Sequence, residues 1–71
     1  MTTEAIIELL GYASGNECTV RLVLQDGTEL IGTPSSVDTH PTALEVFLHP
    51  LGDDETEIGV SLTAIALAEM A

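Results

Sequence analysis

Between Val20 and Asp38 the chain alternates, turns and alternates again, and few folds satisfy that order. Val20, Leu22 and Leu24 share one face of an extended strand, Gln25-Asp26-Gly27-Thr28 supplies turn chemistry, and Leu30 resumes the apolar series. The pattern predicts a β-hairpin. Gly32 then falls inside the second strand, where a missing side chain permits the bend or bulge that curls a short sheet. A curved sheet is expected rather than a flat one.

Ahead of the hairpin the periodicity is helical. Thr2 or Thr3 is a cap, Glu4 suits the positive end, and Ile6, Leu9, Leu10 and Ala13 follow i, i+3, i+4, i+7 spacing. This predicts a helix over about residues 3–14, ended by Gly11 or Gly15. So short an amphipathic helix needs a surface to pack on. The hairpin strands cover residues 18–25 and 29–36, and Asp38-Thr39-His40-Pro41 is a turn-rich connection. Residues 43–49 form a third strand, with Leu44, Val46 and Leu48 on one face and Glu45, Phe47 and His49 on the other. Pro50-Leu51-Gly52-Asp53-Asp54 makes the next turn, and residues 57–62 a fourth strand with Ile58, Val60 and Leu62 inward. No linker, low-complexity tract or repeat divides the chain, which reads as a single domain over 1–71.

With Gly27 as the turn glycine, the apolar Leu30, the glycine Gly32, the apolar Val37 and the acidic Asp38 stand at the spacing of the first Sm motif. Pro34 is the one position of that motif not met directly. The chain therefore resembles the Sm-like small-barrel family over nearly its whole length. The resemblance implies a mainly β fold: an N-terminal helix covering the open end of a strongly bent, five-stranded antiparallel barrel over about residues 18–70. It also implies that the tail, residues 63–70, is a closing strand, although its alanine, leucine and glutamate favour helix. Family members that bind RNA commonly carry an asparagine and an arginine-glycine pair where this chain has Thr42 and Ser61-Leu62. The bacterial host-factor branch also lacks the arginine-glycine pair.

A chain of 71 residues leaves little to bury, since a domain of about 60 residues removes only about 60% of its unfolded surface from water. Cys18 is the one cysteine, so no internal disulfide forms, and no Cys/His cluster suggests zinc. Extra stability is expected from neighbouring subunits, which favours a homo-oligomer. Twelve acidic residues face one basic residue, Arg21, for a net charge of −11. Phosphate backbones need Lys and Arg, so DNA is excluded and RNA disfavoured. Anionic membranes are disfavoured by the same sign, and no segment has the roughly 20 apolar residues that span a bilayer. Glu8 and the lack of a basic start argue against a secretory signal, and a cytoplasmic protein is expected.

The acidic run Asp53, Asp54, Glu55, Glu57 lacks EF-hand spacing and reads as a solvated turn that keeps a sheet edge from sticking. His40 and His49 are too few for a zinc site. In a ring-forming relative the loop with Asp38, His40 and Thr42 would line the central nucleotide-binding region, which makes these the ligand candidates implied by the resemblance. Phe47, Val60, Leu62 and Ile65 are the candidates for subunit or partner contact, through edge strands and an aromatic anchor. Cys18 reads as a small buried hydrophobe.

No Ser/His/Asp order, phosphate loop, catalytic carboxylate pair or cofactor motif is present, so an enzyme is not expected. The expected function is a non-catalytic binding or scaffold module that self-assembles through edge strands, with a role in RNA metabolism. The alternative is an acidic regulator that docks a basic groove of an RNA-handling protein, as the resemblance to the acidic Rho-antiterminator proteins implies.

Overall fold

Thr2 starts the helix because its hydroxyl accepts the Ala5 N–H at 3.1 Å while its carbonyl accepts that of Ile6 at 3.0 Å. The first of these caps one of the donors that a helix start leaves open, and the second is the first bond of the helical ladder. In the computed structural model, which describes residues 1–71, helix α1 spans Thr3–Gly15 and buries Ile6, Leu10 and Ala13. At its end the Cys18 N–H returns to the Ala13 carbonyl at 2.9 Å. That closure requires a left-handed residue just past the helix, usually glycine; here it is Glu17, at φ 54°.

Strands β1 (Val20–Leu24) and β2 (Glu29–Asp38) form the expected hairpin. Gly27 turns at φ 89°, and the Asp26 carboxylate accepts the Thr28 N–H at 2.9 Å. β2 serves two neighbours. Its residues 29–32 pair with β1, and its residues 32–38 pair with β3 (Glu45–Pro50). The change of partner centres on Gly32, where an added β-carbon would overlap the His49 carbonyl oxygen and stand 3.0 Å from Leu48 Cδ1. Close by, the register shifts between Pro34 and Ser36, and Ser35 is the extra residue.

β4 (Ile58–Ser61) pairs with β3, a 3-10 turn follows at Leu62–Ala64, and β5 (Ile65–Met70) returns to pair with β1. The tail is thus a strand despite its helical propensity. All pairings are antiparallel, in the order β4-β3-β2-β1-β5. The fourth strand is shorter than expected, because Leu62 already belongs to the 3-10 turn. Leu44 likewise stands outside the third strand, at φ 44°, with its carbonyl accepting the Leu62 N–H at 2.8 Å.

Alternation along the strands sends one face inward. Val20 and Leu22 of β1 meet Val46 and Leu48 of β3, and α1 closes this core by lying against β2, β5 and the 3-10 turn. Pro34, the odd residue of the motif, is buried too. No helix is long and apolar enough to cross a membrane.

Candidate functional site

Asp38, His40 and Thr42 come together, but in a turn that satisfies itself. The Asp38 carboxylate accepts the His40 N–H at 2.9 Å, and His40 Nδ1 accepts the Thr42 N–H at 3.2 Å with the Thr42 hydroxyl at 2.8 Å. Since Nδ1 accepts an amide proton, the neutral ring carries its own proton on Nε2. All three residues are exposed. His40 lies in the turn ahead of β3 and His49 near the far end of that strand, and no hydrogen bond joins them.

The proposed contact residues divide. Phe47 lies on the outer face, across from Gly59 of β4, where a β-carbon would stand 3.1 Å from its ring. The half-buried aromatic thus covers a glycine of its own sheet. Val60, Leu62 and Ile65, the other candidates for subunit or partner contact, are buried in the chain's own core, at 9%, 0% and 3% exposure. Their apolar character serves the chain's own interior, so a partner at these strands would meet backbone edges and not these side chains.

The surface has one groove, of about 550 Å³. Ser14 and Glu17 from the end of α1 line it, with Thr33, Pro34 and Ser35 from the bulged stretch of β2, His49 from β3 and Asp54 from the following loop. Apart from Pro34 every lining residue is polar. His49 Nδ1 stands 2.8 Å from the Thr56 carbonyl oxygen, which can only accept, so Nδ1 carries the proton. Nε2 is then a bare acceptor in the neutral ring and faces the Glu57 carboxylate at 3.7 Å. Ser35 Oγ is 3.1 Å from both Glu57 Oε2 and the Phe47 carbonyl, and its single proton serves one of them at a time. Serine, histidine and glutamate are neighbours here, but not in the order of nucleophile, base and orienting acid, because the hydroxyl turns to acceptors other than the imidazole.

Sequence reasoning did not single out Ser14, Glu17, Thr33 or Ser35, and it read Asp54 only as part of a solvated acidic turn. Their one shared signal is position: each lies at a helix end, a bulge or a turn, and the pairing of β2 with β3 brings those features to one place.

Electrostatics set the rest of the surface. Arg21, the one Lys or Arg of the chain, lies on the outer face of β1 in ion pairs with Glu69 of β5, at 2.7 Å, and Glu29 of β2. Hydrogen bonds to Glu69 first and Glu29 second hold the guanidinium above its ordinary pKa. The acidic turn after β3 folds on itself: the Asp53 carboxylate accepts the N–H of Thr56 at 3.1 Å and of Glu55 at 3.3 Å. The Thr56 hydroxyl first, and its N–H second, hold Asp53 below the usual carboxylate range. No three His, Cys, Asp or Glu side chains converge as a metal site.

No protein-family model matches the chain, and no curated protein matches it.

Proposed function

We propose that the chain is a non-catalytic Sm-like binding and scaffold module of the cytoplasm, a bent small barrel that self-assembles through its end strands and serves RNA metabolism. The carrying observation is the strand order, in which β4 and β5 lie at the two ends of the sheet. Each end presents a row of backbone N–H and C=O groups without a strand partner. Pairing β4 of one copy with β5 of the next is a head-to-tail contact, which closes into a ring when the rotation per subunit permits. It would also extend a core of only eleven buried residues. In such a ring the turn with Asp38, His40 and Thr42 would face the pore. Light scattering coupled to size exclusion tests the reading: a discrete mass of several subunits is expected, and a monomer at high micromolar concentration would sink it.

A second reading is favoured by Arg21. With its one guanidinium held between two glutamates, a chain of net charge −11 offers phosphates no free Lys or Arg. The same surface suits an acidic regulator that docks a basic groove on an RNA-handling protein, with fast, salt-sensitive association. Absence of binding to such a basic protein at low salt would remove this reading.

A further inference from the structure

We infer that the groove between the end of α1 and the β2 bulge receives the guanidinium of an arginine on a basic polypeptide partner. The inference rests on the second reading above, docking to a basic surface, and supplies its site and the group recognised.

The groove is rich in acceptors and poor in donors. The Ser14 hydroxyl donates to the Gly11 carbonyl at 3.2 Å, and that of Ser35 to Glu57 or Phe47, so both keep lone pairs to offer. Glu17 and Asp54 add carboxylates from two separate elements. An occupant must therefore bring N–H donors and positive charge. Phosphates and carboxylates fail on both counts. A metal ion lacks three converging ligands. The chain's own guanidinium is engaged elsewhere, by Glu29 and Glu69. Between the two cationic side chains the spread of acceptors decides. An ammonium is a compact, strongly hydrated point charge with three donors, whereas a guanidinium holds five donors in a fixed plane and sheds water more easily.

The test is calorimetric titration of the full chain with two peptides of equal length, one arginine-rich and one lysine-rich, at low salt. The groove variant is Glu17→Gly with Asp54→Asn; its charge-matched control is Glu4→Gln with Glu8→Gln, on the exposed side of α1. Glu17→Gly relieves a left-handed backbone, and a urea midpoint of the groove variant no lower than that of the unaltered chain separates a loss of binding from a loss of fold. The arginine peptide should bind more tightly than the lysine peptide, and the groove variant should weaken it about tenfold beyond the control, the size of one charge-assisted hydrogen bond. If neither peptide binds the unaltered chain, the docking reading falls and the groove with it. If binding is weakened equally by both variants, docking stands and the groove assignment is overturned. Equal affinity for the two peptides would overturn the choice of guanidinium.

Discussion

Gly32 sets its bare α-carbon against the backbone carbonyl of His49, with no room for a methyl group between them. The close approach is what lets β2 leave β1 and join β3 without a break, and it sets Thr33 and Ser35 beside His49. Gly32→Ala should destabilise the fold by about 1–3 kcal/mol, the usual cost of overpacking. In a domain of this size each kcal/mol lowers the melting temperature by roughly 4–8 °C. Gly59→Ala is the control. There the nearest atoms are the Glu45 carboxylate at 2.9 Å and the Phe47 ring at 3.1 Å, side chains that can yield. Equal losses in thermal melts would contradict the backbone argument.

Helix α1 is held by packing rather than by its own propensity, and Leu10, fully buried beneath it, is its main anchor. Leu10→Ala should cost about 2–5 kcal/mol, a large share of the 5–15 kcal/mol available to most domains. Because the helix and the strands share one core, their circular dichroism signals should vanish at one urea midpoint. A helix signal that fades first would separate α1 from the core.

Glu17 occupies left-handed backbone at φ 54°, which costs a residue with a β-carbon roughly 1–2 kcal/mol. Glu17→Gly removes that strain, and part of the gain is offset by the extra freedom of glycine in the unfolded chain. The urea midpoint should rise by an amount worth several tenths to about 1 kcal/mol, with the slope unchanged. A midpoint that falls would mean that the Glu17 side chain stabilises the fold more than its backbone strains it.

The hairpin was legible because its determinants are local: Asp26 and Gly27 make their turn from neighbours two residues away. The α1 stripe was legible for the same reason. The tail was not decided by propensity, since Ala66, Leu67, Ala68 and Glu69 all suit a helix; pairing with β1, with Leu22 opposite Ala68, settles it as strand. Val60, Leu62 and Ile65 were visible as apolar, but apolar residues serve cores and interfaces alike, and only the three-dimensional packing assigns them to the core. The groove was illegible because its residues belong to four stretches joined by long-range strand pairing.

Acid acts on two turns. The Thr28 N–H first and its hydroxyl second hold Asp26 below the usual carboxylate range, as Thr56 holds Asp53. Both folded-state values are depressed, so the unfolded chain binds protons at higher pH than the folded one. The stability these groups contribute is complete above their unfolded pKa of 3.8 and is lost as pH falls through the lower folded values. Protonating the other acids also relieves repulsion, so the contribution is read as a difference. The lead in stability of the unaltered chain over an Asp26→Asn, Asp53→Asn variant should be full at about pH 6 and shrink below about pH 4. A lead independent of pH would show that the two charges contribute nothing beyond what an amide supplies.

Arg21 ties together three strands, with Glu29 of β2 on one side and Glu69 of β5 on the other, and it is the one Lys or Arg in a chain of net charge −11. Arg21→Gln takes the charge from −11 to −12 and leaves two glutamates facing each other across β1. Its melting temperature should fall below that of the unaltered chain, most at low salt. Added salt should raise both melting temperatures, because the Debye length shrinks from about 10 Å at 0.1 M to about 3 Å at 1 M and screens the acidic surface. The gap between them should narrow as the glutamate repulsion is screened, leaving the remainder that the Arg21 stem supplies by packing over the sheet. A gap that does not change with salt would assign Arg21 wholly to packing.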